Sequence, residues 1–183
     1  MAEPAGAAGQ ADGIVIRPGE DRDVPGLLDL YNHYVRHSSA TFDLVPHTLE
    51  QRREWFWHYS LTGRHRLMVA DREGQVMGYA TSSPFRPRAA YDTTVETSVY
   101  VRAGMEGRGL GGRLYAALFA AIADEDIHRV LAVITTPNPA SITLHERSGF
   151  REVGRLHEVG RKFDQWWGVV FLERRVEDAP LRA

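Results

Sequence analysis

The sequence predicts an α+β domain, and three observations carry that reading. Strand-like and helix-like segments follow one another without the strict alternation of a doubly wound sheet. A Glu73-Gly74 pair between two strand-forming runs marks a tight antiparallel hairpin. With no internal repeat or interdomain linker, 183 residues leave room for one domain. A content of 43% hydrophobic and 25% charged residues can build a core, which excludes a fibrous or disordered chain.

The elements follow in order. Residues 1–12, rich in Ala and Gly, lack the basic start and apolar stretch of a signal peptide and read as a disordered tail. The domain is expected over residues 13–176, with a second tail over 177–183. Ile14-Val15-Ile16 reads as a strand. Asp23 is the expected N-cap of a helix carrying Val24, Leu27, Leu28, Tyr31 and Val35. Thr48, followed by Glu50-Gln51, opens a second helix expected to carry Trp55, Phe56 and Tyr59 and to stop at Gly63. The hairpin strands are expected over 66–71 and 75–81, and residues 82–92, with Pro84 and Pro87, read as a surface loop. A long strand over 93–101 places Glu96 near its middle. The glycine turn 107–112 then enters a helix whose Leu110, Leu114, Leu118, Phe119 and Ile122 share a face. A strand over 129–134, a helix over 138–147 stopped at Ser148-Gly149, a strand starting at Phe150 and a last strand over 166–175 complete the chain.

Twenty-two Lys and Arg against 24 Asp and Glu leave a net charge of −2, so no global positive field exists to hold nucleic acid or an anionic membrane. An anionic ligand must be bound locally. The longest nearly apolar run, 114–123, is half of the roughly 20 residues that a membrane-spanning helix needs. A soluble, cytoplasmic protein is expected. Zero cysteines exclude disulfides, thiolate metal sites and an acyl-cysteine intermediate. His33 and His37 have i, i+4 spacing but no third ligand beside them, so no metal is assigned.

The glycines at 107, 109, 111 and 112 let main-chain N–H groups approach a ligand where a helix begins with its positive dipole end, an arrangement suited to a pyrophosphate. Arg108 and Arg113 are candidates to add charge-assisted bonds. A flexible loop merely preceding a helix is the alternative. The residues also satisfy G-x-G-x-x-G, but residues 102–106 separate the turn from its strand, and the next strand ends in Ile134-Thr135-Thr136 without the acid that a dinucleotide's ribose requires. Leu110 and Gly111 stand where a phosphate-binding Walker loop needs Lys and Ser or Thr.

Glu106-Gly107-Arg108-Gly109-Leu110-Gly111 resembles the acetyl-CoA turn of the GNAT N-acetyltransferase superfamily, Gln/Arg-x-x-Gly-x-Gly/Ala, with an acid in the first position. Tyr31-Asn32-His33-Tyr34, Ala90-Tyr91-Asp92, Val95-Glu96, Ser98-Val99-Tyr100-Val101 and Leu144-His145-Glu146 through Gly149-Phe150 resemble its phosphinothricin N-acetyltransferase-like and L-amino acid N-acyltransferase members, over residues 14–175. The resemblance implies an acyl-CoA N-acyltransferase fold with a mixed, mostly antiparallel sheet flanked by helices, acetyl-CoA as co-substrate, and a homodimer. It implies that main-chain groups of Val99, Tyr100 and Val101, the turn 107–112 and Asn138 hold the coenzyme. Asn138 reads equally as an N-cap.

Amine attack on a thioester needs the free base, so a proton acceptor matters, and Glu96 is the candidate. Burial on the sheet would raise its pKa into a useful range; a structural carboxylate paired with an Arg is the alternative. His145 stands where phosphinothricin-type enzymes have a histidine and is the candidate to orient or protonate the leaving thiolate. Without that match it reads as an ordinary solvated histidine. Arg86 and Arg88 are candidates for an anionic, amino-acid-like substrate, with a solvated basic loop as the alternative. Tyr91, Phe42, Thr97 and Thr135 are the remaining substrate candidates. Thr94 stands where the phosphinothricin enzymes that the chain resembles have a tryptophan, which implies a pocket that is wider or of different specificity. The residue set points to an N-acetyltransferase for phosphinothricin, methionine sulfoximine or methionine sulfone. Another small amine or peptide terminus, and a non-catalytic acyl-CoA sensor, are the competing readings.

Overall fold

Seven strands form one sheet in the order β1-β2-β3-β4-β5-β7-β6 in the computed structural model, which describes residues 12–177. In chain order the elements are β1 (Val15–Pro18), α1 (Val24–His37), α2 (Leu49–Phe56), β2 (Leu67–Arg72), β3 (Gln75–Pro84), β4 (Thr94–Val101), α3 (Leu110–Ala121), β5 (Arg129–Thr136), α4 (Pro139–Arg147), β6 (Arg151–Lys162) and β7 (Gln165–Arg175). Five of the six neighbouring pairs are antiparallel. The sixth, β4 with β5, is parallel and pairs only Thr94–Glu96 with Arg129–Leu131. Beyond Leu131, β5 stays paired with β7 as far as Thr136, while β4 stays paired with β3 as far as Val101. The sheet therefore parts between β4 and β5 and leaves a slot there.

Two cores lie on the two faces. Leu110, Leu114 and Leu118 of α3 pack with Val95, Ala80 and Ala132 of the sheet, the apolar stripe that their spacing dictates. On the other face Leu27 and Leu30 of α1 pack with Val69, Val76 and Tyr79. Local chemistry sets several boundaries. Thr48 and Gln51 form the reciprocal capping box that opens α2. Glu73 and Gly74 both have positive φ, 53° and 84°, the backbone required by a two-residue hairpin whose twist matches its strands.

Four expectations need correction. Asp23 precedes α1, yet its carboxylate does not cap it: it accepts from the Glu20 amide at 2.8 Å and is held by Arg17 at 2.7 Å, a charge-assisted pair that outcompetes a neutral cap. α2 ends at Phe56, so Tyr59 and Gly63 lie in the following loop. β3 runs through Ser82 and Ser83 to Pro84, because the Ser82 hydroxyl donates to the Arg64 carbonyl (2.7 Å) and accepts from the Arg66 amide (2.9 Å), which satisfies it in a buried strand. Asp12, assigned to the tail, pairs with Arg113 at 2.7 Å and accepts from the Ile14 amide. The rest of the expected tails, 1–11 and 178–183, lie outside the described residues. Among the described residues, no helix is long and apolar enough to cross a membrane, and no group of three or more His, Asp or Glu is placed to hold a metal.

Candidate active site

Strand alternation decides which side chains can meet at the slot. Thr97 is buried and its Oγ1 lies 3.5 Å from the Tyr115 hydroxyl of α3. Its neighbours in sequence must therefore face the opposite side, toward α1 and α2. Tyr100, in phase with Glu96 and Ser98, confirms this by packing on Tyr31 and Tyr34 of α1 and stacking on Tyr79 at 5.3 Å. Glu96 is cross-strand from Ser83, whose hydroxyl bonds to Tyr59 at 2.9 Å. Glu96 and His145 thus stand on different faces of the sheet, and of the two only His145 lines the cavity found at the slot.

A cavity of about 510 Å³ fills the slot. Thr97, Val99, Tyr100 and Val101 of β4 line it, as do Thr135 of β5, Asn138 at the N-cap of α4, Ser141 and His145 of α4, and Gly107, Gly109, Leu110, Gly111 and Gly112 of the turn and the start of α3. Gly107 and Gly109 have φ of 72° and 75°, and Gly109 occupies the N-cap of α3 without a side-chain cap. The first turn amide bonded within α3 is that of Arg113, to the Gly109 carbonyl at 3.1 Å. The amides ahead of it have no intrahelical acceptor, as at any helix start. They fit a diphosphate. Asn138 Oδ1 accepts from the Ser141 amide at 3.1 Å, so it caps α4 while also lining the cavity. The Tyr34 hydroxyl donates to the Val101 carbonyl at 2.8 Å and steadies the free end of β4.

His145 is buried rather than solvated. Its Nδ1 lies 2.7 Å from the Ser141 carbonyl, which can only accept, so Nδ1 carries a proton. Burial lowers the pKa to about 4. The ring is therefore neutral at pH 7, and Nε2 accepts from the Tyr115 hydroxyl at 2.7 Å. Both ring nitrogens are engaged, which suits an orienting role and leaves no spare N–H for a thiolate. On the other face Glu96 is half-buried, and burial raises its carboxyl pKa while the charge of Arg86 opposes the shift.

The substrate candidates divide in the same way. Thr97 and Thr135 line the cavity, and the Thr97 hydroxyl donates to the Leu131 carbonyl at 3.2 Å. Arg86 lies over the Phe85 ring at 4.9 Å, and Tyr91 meets that ring edge-on at 5.6 Å, forming a cluster whose charge reaches Glu96. Arg88 is exposed before the short turn Ala89–Tyr91, and Phe42 packs against Gly160 of β6.

Arg108 is exposed and stands outside the cavity lining, and Arg113 is committed to Asp12 and the Ile14 carbonyl. The arginine that does line the cavity is Arg147, at the end of α4. Its distance in sequence from the glycine turn hid it. Arg52 was also missed. Fully buried, it lies 3.4 Å over Trp55 and 4.7 Å over Tyr31, and its Nε and Nη2 have no hydrogen-bond partner. Nothing in the polar sequence of α2 announces an arginine turned inward.

A strand pair that parts beside a glycine-rich helix start offers unpaired main-chain groups to an anionic ligand. Residues 27–150 match the Acetyltransferase (GNAT) family, and the chain belongs to that family. It is an N-acetyltransferase similar to the phosphinothricin N-acetyltransferase of Streptomyces coelicolor, with 53% identity over 163 residues covering 88% of this chain and 95% of that one. The L-methionine sulfoximine/L-methionine sulfone acetyltransferase of Pseudomonas aeruginosa is 36% identical over 162 residues, covering 88% and 94%. A crystal structure of a GNAT superfamily phosphinothricin acetyltransferase from Sinorhizobium meliloti in complex with acetyl-CoA superposes with a TM-score of 0.84 at 28% identity, covering 93% of this chain and 92% of that one.

Proposed function

We propose that the chain transfers an acetyl group from acetyl-CoA directly to the α-amine of phosphinothricin, methionine sulfoximine, methionine sulfone or a related amino acid, as a cytoplasmic homodimer. The observation that carries this reading is the half-buried Glu96, one residue before the cavity-lining Thr97 on β4, its pKa raised by burial against the opposing charge of Arg86. The turn 107–112 holds the diphosphate, Arg147 adds charge to a coenzyme phosphate, and the β4 main chain with Asn138 guides the pantetheine arm into the slot. Arg86, with Arg88 and Tyr91, takes the anionic group of the substrate, because a guanidinium offers two parallel donors to a carboxylate or phosphinate.

Transfer then needs both substrates bound together. Glu96 takes a proton from the ammonium, directly or through water. The free amine adds to the thioester carbonyl, and the tetrahedral intermediate collapses with loss of the coenzyme thiolate, which takes up a proton. Main-chain N–H groups of β4 stabilise the oxyanion, while neutral His145, fixed from behind by Tyr115, gives the opposite wall a set polar surface. The exposed Phe163 and Trp166 at the β6–β7 turn offer an apolar surface for the second copy.

The test is thiol release from acetyl-CoA with a panel of amines. Release with phosphinothricin and the two methionine derivatives, and little with polyamines or aminoglycosides, is expected from the charge of Arg86 and Arg88. Binding of CoA with no release across the panel would identify a sensor instead. Light scattering at defined concentration reads the dimer.

A further inference from the structure

The connection between α1 and α2, residues 38–48, borders the cavity at Ser38 and Ala40 and is tied down from three directions. From α1, Asn32 donates to the His47 carbonyl (2.9 Å) and accepts from its amide (2.8 Å), and the Tyr31 hydroxyl donates to Asp43 at 2.6 Å. Within the segment, His47 and Asp43 meet at 2.9 Å. The third tie comes from the far end of the chain. Lys162, the last residue of β6, is 3% exposed, and its Nζ donates to the Thr41 carbonyl at 2.8 Å. Burying an ammonium is costly, and burial lowers its pKa with the charge of Asp43 opposing. The ammonium also lies 5.1 Å from the centre of the Phe163 ring, and its hydrogen bond to Thr41 ties the backbone there. Two residues earlier, Gly160 lies flat against Phe42: a Cβ there would stand 2.3 Å from a ring carbon, so the ring could not keep its place.

We infer that Lys162 and Gly160 set the amine-side wall of the cavity, Lys162 as a positioning residue that anchors the backbone at Thr41 and Gly160 as the surface that fixes how far Phe42 recedes. The inference rests on the slot being the acetyl-transfer site. Ser38 and Ala40, which line the cavity, directly precede the anchored stretch, whereas the glycine turn proposed to hold the coenzyme belongs to another element. Loosening the wall therefore alters amine binding and spares coenzyme binding.

The experiment uses Lys162→Met, which keeps an apolar stem and removes the donor, and Gly160→Ala, which keeps the ammonium and pushes on Phe42. Amide exchange is followed at residues 38–43 and at 107–112, and initial rates are measured with amine and acetyl-CoA varied separately. For Lys162→Met, exchange at 38–43 rises and the amine KM increases about tenfold, the loss expected for one charge-assisted hydrogen bond, while the KM for acetyl-CoA changes by less than about twofold. Gly160→Ala shows the same split in KM. Unchanged exchange at 38–43 overturns the anchor, and an unchanged amine KM, or equal rises in both KM values, overturns its role in the pocket. Should Lys162→Met fail to fold, the split in Gly160→Ala decides. Should the wild-type protein acetylate none of the amines, the catalytic reading falls while the exchange data still decide the anchor.

Discussion

On the α1–α2 face of the slot, Glu96 is half-buried and desolvation raises its pKa; on the α3–α4 face, His145 is buried and the same cause lowers its pKa to about 4. Desolvation disfavours charge, so it pushes an acid and a base toward the same neutral state from opposite directions. The outcomes differ because their surroundings differ. Arg86 gives the Glu96 anion a cation to answer to, which keeps proton uptake and release accessible. His145 has the Ser141 carbonyl on one nitrogen and the Tyr115 hydroxyl on the other, and the neutral tautomer satisfies both. Burial alone therefore favours the neutral form of either group; on the proposed reading, the charge of Arg86 is what keeps Glu96 able to exchange a proton.

The largest expected effect breaks the amine-side half of this comparison. Glu96→Gln should lower kcat by about 10²–10⁴-fold, the range for a positioned general base, and leave the KM for acetyl-CoA within about twofold. In the wild-type protein the acidic limb of kcat/KM should lie above the ordinary carboxylate range, and the variant should lose that limb. A variant with unchanged turnover would remove Glu96 from the mechanism.

The second prediction sharpens the other half. The folded pKa of His145, about 4, lies below its ordinary value of 6.5, so the unfolded chain binds the extra proton first as pH falls. The histidine is neutral in both states above pH 6.5 and costs no stability there. Between 6.5 and about 4 the native state loses stability, in total on the order of 3 kcal/mol, and below 4 the loss levels off. Urea denaturation from pH 7 to pH 4, compared with His145→Asn, reads this as a difference in slope; parallel curves would mean that folding leaves the titration of the histidine unchanged.

The smallest effects test the end of the cavity where the coenzyme binds. Arg147→Gln should raise the KM for acetyl-CoA a few-fold, and Glu106→Gln should lower it about twofold, since each changes one partly solvated charge near a phosphate group. Glu106 Oε2 accepts from the Gly104 amide at 2.7 Å, a bond that a glutamine oxygen preserves. Movement in the same direction for both variants would mean that charge is not what they change.

Features set by neighbouring residues were legible in the sequence. The Thr48 capping box, the Glu73-Gly74 turn and the glycine turn leading into α3 all appear where local chemistry puts them. Features set by long-range pairing were not. The strand over 93–101 was readable, but which side of the sheet Glu96 faces depends on where Thr97 meets Tyr115. Ser82 reads as a loop residue until Arg64 and Arg66 are seen to satisfy its hydroxyl, and His145 as a solvated one until Tyr115 and Phe150 close over it.

By itself the sequence determined the class of chemistry. Its lack of cysteine ruled out a covalent acyl-enzyme on sulfur, its glycines prepared an anion cradle at a helix start, and its strand and helix signals required an α+β sheet. Only the tertiary structure decided which groups are charged and which of them share an opening. Protonation depends on burial and on partners scores of residues away, as when Lys162 at one end of the chain reaches the Thr41 carbonyl near the other.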